Sequence, residues 1–209
     1  MKKTCVILNP QDYVNQFHYA GEQGIEGMDY TEKRIDGEVK YSGIIVQVEL
    51  DDVMLHNGDK ARREVVKHPG GVTVLPVDDN GDCYMVRQYR YPIGRMMLEA
   101  PAGKLEYGED HELCARRELS EETGFTADEL IYLGGFYTSP GFSTERLHVY
   151  MALGLHAGES HLDEGEFLNV EKVNIKELSR MVMNGEIEDG KTVIAVLKAE
   201  KILADRGAE

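Results

Sequence analysis

Residues 103–125 read GKLEYGEDHELCARRELSEETGF, and seven of their side chains are carboxylates against three Lys or Arg. Residues three and four apart share a helix face, so Glu118, Glu121 and Glu122 would point the same way in a helix. Like charges four apart destabilise an isolated helix by about 0.2–0.5 kcal/mol. A hard cation on that face would explain the cluster, since Mg²⁺ takes oxygen ligands and substrate phosphates. The alternative is a solvated acidic surface.

The ends of this predicted helix are marked by residue type. Glu109 lies nine residues before Glu118, about two and a half turns, so we expect it at the helix start or in the adjoining loop. Glu109, Asp110 and Glu112 suit the positive end of the helix dipole. Gly124 is the residue type that ends a helix in a left-handed conformation.

The fixed positions of the stretch form a specific pattern. Gly103 is followed by five residues, Glu109, seven residues and then RELSEETGF over 117–125. This pattern resembles the signature of the Nudix hydrolases at every fixed position. The resemblance implies an α/β class protein, an α/β/α sandwich with a mixed sheet. It also implies divalent-metal-dependent cleavage of a nucleoside diphosphate linked to another group.

The resemblance also assigns roles within the stretch. It implies that Glu118 and Glu122 are the principal metal ligands and that Glu121 is a further ligand or positions water. Glu109 and Arg117 are expected to hold the loop and the helix together. The implied cofactor is Mg²⁺, for which Mn²⁺ can substitute.

Composition excludes one class of partner. The formal net charge of −15 over 209 residues argues against nucleic-acid binding, which usually needs a basic surface. The same charge would repel an anionic substrate, so bound cations or local arginines must reverse the field. Hydrophobic residues make up 42% of the chain, enough to bury a substantial core.

The cysteines and the apolar segments indicate the cellular compartment of the protein. Cys5, Cys83 and Cys114 are odd in number and widely spaced, which indicates reduced thiols in a cytoplasmic protein. No apolar run reaches the length that spans a bilayer, so no membrane association is expected. The apolar patch near the N-terminus is too short for a signal peptide.

Strand and helix patterns alternate along the rest of the chain. Asn-Gly in HNGDK (56–60) and the stretch DDNGD (78–82) predict tight turns. Residues rich in β-branched and aromatic types predict strands within 39–55, 63–77, 83–91, 129–142, 146–155 and 167–175. Two helices are expected at the end of the chain, over Ile175–Met183 and Thr192–Ala204.

The chain divides into two expected regions. Residues 1–57 are predicted to be an N-terminal arm and a β-strand region used for dimerisation, and residues 58–209 the hydrolase domain. A small sheet alone is marginal and needs cover. The resemblance suggests that the cover is the partner of a homodimer.

Segments outside the acidic stretch indicate which branch of the family the chain resembles. VRQYRYPIGRMMLEAPAGKLEYGE (86–109), YTSPGFSTERLHVYMA (137–152) and DEGEFLNV (163–170) resemble the ADP-ribose pyrophosphatase branch. That likeness implies a nucleoside diphosphate sugar as substrate, ADP-ribose cut to AMP and ribose 5-phosphate, and the carbonyl of Ala102 as a metal ligand. The alternatives are GDP-mannose or a UDP-sugar, a non-catalytic nucleotide sensor, and a metal-buffering or structural protein.

The same branch suggests residues around the phosphates. Glu99 is expected near the metal site, while Arg90, Arg63 and Arg87 are expected to contact the phosphates or the terminal ribose. Arginine suits this role because its fork grips phosphate oxygens in pairs. Strand alternation sends Arg87 and Arg90 to opposite faces, so Arg87 is alternatively part of a surface ion pair.

Two loops complete the predicted site. Gly141 and Phe142 belong to a turn that either forms a pocket wall or is a plain β-turn, and Glu145 is expected to orient substrate or water. The general base is expected in the helix or in the loop HLDEGEF. Glu164 is favoured and Glu166 is second, and the alternative is a merely solvated loop.

Overall fold

The computed structural model describes residues 29–106, 108–162 and 167–207. The elements of this part of the chain follow in order. They are β1 Lys33–Ser42, β2 Gln47–Met54, β3 Lys60–Lys67, β4 Gly71–Pro76, β5 Asp82–Arg90, β6 Arg95–Glu99, β7 Ala102–Lys104, α1 His111–Thr123, β8 Phe125–Tyr137, β9 Arg146–Ala157, β10 Leu168–Asn174, α2 Ile175–Met183 and α3 Gly190–Arg206.

Strand β4 lies at the centre of a mixed four-stranded sheet. All six of its residues are buried, as expected for a strand covered on both faces. It pairs parallel with β9 and antiparallel with β7, while β8 pairs antiparallel with β9. The resulting strand order is β7-β4-β9-β8.

Helices cover this sheet on both sides. Val74 of β4 packs in a cluster with Leu119 of α1, whereas the next residue, Leu75, packs in a second cluster with Ala195 of α3. Successive side chains of a strand point to opposite faces, so β4 supplies both cores. Burying each leucine contributes about 1.5–3 kcal/mol. The predicted α/β/α sandwich with a mixed sheet is confirmed.

A second sheet carries residues of the candidate site. Its strand order is β10-β5-β6, with antiparallel pairing throughout. In the β5–β6 pairing, Arg90 at the end of β5 is opposite Arg95, and Glu99 at the end of β6 is opposite Val86. The C-terminal ends of β5 and β6 therefore lie at opposite ends of this antiparallel pair, and β6 is the strand that leads on to β7.

The N-terminal strands form a third sheet, with the order β1-β2-β3. Along β1 every residue except Gly37 is exposed. Large apolar side chains are among the exposed residues of this region, including Ile35, Val39, Tyr41 and Ile44. The role of residues 1–57 in dimerisation stays a prediction, and so does the boundary at residue 58.

Several predicted elements are confirmed and others differ. The helix over Ile175–Met183 has the predicted bounds, and the last helix begins earlier and ends later than expected, at Gly190 and Arg206. The short strands β6 and β7 were not predicted. Strand β8 begins at Phe125, earlier than the predicted start at residue 129. Among the described residues, no helix is both long and apolar enough to cross a membrane.

Candidate active site

Helix α1 has well-formed ends that fix the position of its acidic side chains. Oδ1 of Asp110 accepts the N–H of Glu112 at 2.9 Å and that of Leu113 at 3.2 Å, which caps the start. Gly124 ends the helix with φ of 73°. Cys114, Ala115 and Leu119 are buried, together with Glu118 and Glu122. Two carboxylates thus lie at the covered side of a helix whose other acids are more exposed.

Glu118 lies directly over the backbone of β7. A Cβ on Gly103 would be 1.9 Å from Cδ of Glu118, so only glycine leaves room for this carboxylate. Glu118 is 8% exposed. The first glycine of the acidic stretch is therefore explained by the close approach of a helix side chain to a strand.

Glu122 contacts the residue next to that glycine. The N–H of Ala102 donates to Oε2 of Glu122 at 2.9 Å, and Glu122 is 4% exposed. The carbonyl of the preceding Pro101 accepts from the N–H of Val74 at 2.8 Å and from Oγ1 of Thr73 at 3.0 Å. The start of β7 is thereby held between β4 and α1.

Arg117 links the other acidic residues. Its Nε lies 3.1 Å from Oε1 of Glu109, and its Nη1 lies 2.7 Å from Oε1 of Glu118 and 2.9 Å from Oε2 of Glu121. The hydrogen bond from Arg117 is the main cause that lowers the pKa of Glu109 to about 2, although burial opposes it. One guanidinium therefore offsets part of the repulsion within the cluster and joins α1 to the loop before it.

The donor set is compatible with a hard cation. Within the described residues, no three side chains of His, Cys, Asp or Glu are arranged to hold a metal ion by themselves. Mg²⁺ needs only one or two protein carboxylates when water and phosphate supply the rest. Glu118 and Glu122 provide two buried carboxylates beside the backbone of Ala102 and Gly103, while the side chain of Glu121 is 29% exposed and bound to Arg117.

Arg90 and Glu99 form a bidentate ion pair near the acidic side chains of α1. Nε and Nη2 of Arg90 each lie 2.7 Å from an oxygen of Glu99. Lys191 also donates to Glu99, and Asp189 accepts from Lys191 at 2.9 Å. Sequence reasoning missed Lys191 and Asp189. Asp189 before the helical run that begins at Gly190 is an N-cap signal that could have located the start of α3.

Two of the predicted arginines are bound elsewhere. Arg63 pairs with Glu32, through a 2.8 Å contact from its Nε. Arg87 pairs with Glu171, with Nη2 at 3.0 Å from Oε2, and its side chain is 37% exposed. This matches the alternative of a surface ion pair for Arg87, which also borders a cavity of about 350 Å³ lined by Tyr89, Met96, Leu162, Phe167, Leu168 and Asn169.

The turn between β8 and β9 has its own contacts. The N–H of Phe142 donates to the carbonyl of Ser139 at 3.1 Å, and the carbonyl of Phe142 accepts from Val66 at 2.7 Å. Glu145 accepts from Oγ1 of Thr138 at 2.6 Å. Phe142 is 56% exposed and Gly141 is also exposed.

The two favoured general bases, Glu164 and Glu166, lie outside the described residues. Glu121, the third candidate for the general base, lies on α1. It is close to Glu118, because Arg117 donates a hydrogen bond to both carboxylates. The structure thus brings together the residues of the acidic stretch, and places Arg90 and Glu99 on the neighbouring sheet.

Comparisons with known proteins identify the family. The NUDIX domain family matches residues 67–195. An ADP-ribose pyrophosphatase of Bacillus subtilis is 46% identical over 167 residues, covering 79% of this chain and 90% of that protein. A methanol dehydrogenase activator of Bacillus methanolicus is 43% identical over 172 residues, covering 81% and 93%. A crystal structure of an ADP compounds hydrolase has the same fold, with a TM-score of 0.76, 20% identity and coverage of 88% and 100%. Since the domain match spans most of the chain and includes the acidic stretch, this protein belongs to the Nudix hydrolases.

Proposed function

We propose that this protein hydrolyses the diphosphate bond of ADP-ribose to give AMP and ribose 5-phosphate, with Mg²⁺ as cofactor and Mn²⁺ as a substitute. The observation that carries the proposal is the pair of buried carboxylates, Glu118 and Glu122, against the backbone of Ala102 and Gly103. The name of the Bacillus subtilis relative supports ADP-ribose as the substrate. Nudix hydrolases generally use divalent metals, which fits this oxygen-rich site.

In this proposal the acidic residues have distinct roles. Glu118, Glu122 and the carbonyl of Ala102 hold the metal, and Glu121 is a further ligand or orients water. When bound there, a dication would supply charge neutralisation for the phosphate oxygens and a lower pKa for the attacking water. Arg117 fixes the direction of Glu118 and Glu121 and ties α1 to the loop through Glu109.

The substrate is bound by residues around the cluster. Arg90, whose side chain is 39% exposed, is proposed to grip the diphosphate, and Glu99 orients Arg90. Arg63 and Arg87 are proposed to reach the phosphates or the terminal ribose after leaving their acidic partners. Gly141 and Phe142 are proposed as the pocket wall, with Glu145 orienting substrate or water.

A general base must take a proton from the attacking water. We propose Glu164 for this role, with Glu166 as second choice and Glu121 as the candidate within α1. Substituting each glutamate by glutamine separates them, because loss of the base lowers kcat with little change in KM.

We further propose that the protein is a cytoplasmic homodimer. Residues 1–57 would supply the dimerisation region and residues 58–209 the hydrolase domain. The exposed apolar side chains of β1 and the turn after it support this arrangement, since such patches mark interaction sites. Sedimentation of the purified protein tests it, and a monomer at micromolar concentration contradicts it.

A substrate panel with and without metal tests the proposed activity. ADP-ribose, GDP-mannose and UDP-glucose are each incubated with the protein and Mg²⁺, and products are separated by chromatography. We expect AMP and ribose 5-phosphate, with kcat/KM for ADP-ribose at least tenfold higher than for the other two, and loss of turnover with EDTA. Tenfold preference for a guanine or uracil compound rejects ADP-ribose, and tight binding without turnover favours a sensor.

A further inference from the structure

The carboxylate of Glu99 is buried between two cations. Glu99 is 1% exposed, and Arg90 donates to both of its oxygens at 2.7 Å while Lys191 donates to one of them. Burial alone would raise the pKa of Glu99. The hydrogen bond from Arg90 and the charge of Lys191 outweigh burial and hold this pKa below its ordinary value. Glu99 is thus ionised and depends on cationic partners.

The two cations differ in their access to solvent. The side chain of Lys191 is 10% exposed, whereas that of Arg90 is 39% exposed. Lys191 lies in the first turn of α3, and that turn is anchored. Thr192 donates its N–H to Asp189 at 3.1 Å and accepts the N–H of Ala100 at 2.8 Å. Lys191 is therefore fixed in place, while Arg90 has a solvent side toward which it can turn.

Arg90 also lies near the candidate metal site. Its partner Glu99 is three residues before Ala102, whose N–H donates to Glu122 at 2.9 Å. The hydrogen bond to Glu99 is the main cause that raises the pKa of Arg90, and the charge of Glu122 adds to it. A diphosphate held near Glu122 would bring its oxygens to the exposed side of Arg90. The guanidinium binds phosphate best through two parallel N–H bonds. To use them, Arg90 has to give up part of its pairing with Glu99, which employs its Nε and Nη2.

We propose, building on the function proposed above, that Lys191 is a positioning residue that neutralises Glu99 while Arg90 turns from Glu99 to the diphosphate of the substrate. Breaking a buried ion pair is costly because one charge is left uncompensated. Lys191 stays on Glu99 and removes most of that cost. In the substrate-free protein, the bidentate ion pair with Glu99 holds the side chain of Arg90 in position.

Binding of non-hydrolysable diphosphates tests this role. The probes are α,β-methylene-ADP-ribose and methylenediphosphonate, each with Mg²⁺, and the dissociation constants are measured by calorimetry. Lys191→Met removes the charge and keeps the length, and Lys191→Arg keeps the charge. Lys201→Met is the matched control, because Lys201 is ten residues further along α3, about 15 Å, in a pair with Asp205.

The proposal predicts a specific pattern. Lys191→Met weakens binding of both probes at least tenfold, Lys191→Arg stays within threefold of the wild type, and Lys201→Met stays within twofold. In a Glu99→Gln background the buried charge that Lys191 is proposed to neutralise is removed, while the contact of Lys191 with Asp189 is kept. The added Lys191→Met change should then weaken binding less than twofold.

The opposite pattern overturns the proposal. Equal weakening by Lys191→Met in both backgrounds means that Lys191 acts on phosphate directly through its charge or only supports the fold. Melting curves are recorded for every variant. If Lys191→Met alone does not fold, the comparison of Glu99→Gln with the double variant decides, since neutralising Glu99 removes the electrostatic reason for that failure.

The two probes separate this inference from the proposed substrate. A wild-type protein that binds methylenediphosphonate but not the ADP-ribose analogue rejects ADP-ribose as the substrate. The role of Lys191 is then decided on methylenediphosphonate alone. A wild-type protein that binds neither probe overturns both proposals.

Discussion

The carboxylate of Glu118 occupies the space that a side chain on residue 103 would need. A Cβ at Gly103 would lie 1.9 Å from both Cδ and Oε1 of Glu118. Contacts this short force one of the two groups to move. The position of the Glu118 carboxylate on α1 therefore depends on the absence of a side chain at residue 103 of β7.

Gly103→Ala should therefore displace Glu118 and impair metal binding. We expect the free energy of unfolding to fall by about 1–3 kcal/mol, as for overpacking in a dense interior, and kcat to fall about 10²-fold. Gly190→Ala is the control, because a Cβ there meets no atom within 4 Å. Full activity of Gly103→Ala would show that the position of Glu118 does not matter for the reaction.

Glu122→Gln tests the carboxylate that contacts Ala102. The glutamine keeps the size of the side chain but removes its charge, so we expect kcat to fall about 10³-fold, which is about 4 kcal/mol of lost stabilisation. Glu112→Gln on the same helix is the control, since Glu112 is exposed and pairs across one turn with Arg116. Steady-state kinetics at saturating Mg²⁺ give the comparison. Equal activities of the two variants would contradict a special role for Glu122.

The ion pair between Glu109 and Arg117 predicts a particular acid sensitivity. Because the pKa of Glu109 is lowered to about 2 in the folded protein, from 4.5, the unfolded chain binds the proton more readily. The contribution of ionised Glu109 to the stability of the folded protein is fully present above about pH 4.5 and is lost as the pH falls toward 2. Urea titrations should show Glu109→Gln less stable than the wild type at pH 7, with the difference shrinking below pH 4.5. A constant difference across this range would count against the pairing.

A stack of His111 on His148 makes a second pH prediction. Their ring centroids are 4.0 Å apart, and Tyr132 hydrogen-bonds to Nδ1 of His148 at 3.0 Å. Burial, followed by the charges of His111 and Arg146, lowers the pKa of His148 to about 4 from 6.5, while Asp110 opposes them. The folded state therefore loses stability as the pH falls from about 6.5 to 4.

Nuclear magnetic resonance of the imidazoles checks this directly. His148 should remain neutral from pH 8 down to about pH 5.5, with no change in its ring shifts. His148→Phe should flatten the loss of stability between pH 6.5 and 4, because phenylalanine stacks without titrating. A His148 that titrates near 6.5 would mean that the ring is not enclosed by this stack.

The acidic stretch made most of the candidate site predictable from the sequence. Helix periodicity places Glu118 and Glu122 together, and the residue types of Asp110 and Gly124 mark the helix ends. These relationships are local, so spacing alone captures them. Gly103 was predictable as a fixed position, but its reason was not, because the contact with Glu118 joins a helix to a strand.

The remaining features depend on distant parts of the chain. Lys191 meets Glu99 across 92 residues, and no spacing rule connects them. Arg87 was predicted as a substrate contact or as a surface ion pair, and its partner Glu171 lies on a strand that pairs only in the folded sheet. Strand β7 has three residues, too few for a periodic pattern to be recognised.

The most direct test of the account is a crystal structure with Mg²⁺ and α,β-methylene-ADP-ribose. The account predicts metal density within about 2.0–2.1 Å of carboxylate oxygens of Glu118 and Glu122 and of the carbonyl of Ala102. The diphosphate should bridge that metal and Arg90. Metal and diphosphate bound away from α1, with Glu118 still on Arg117, would contradict the account.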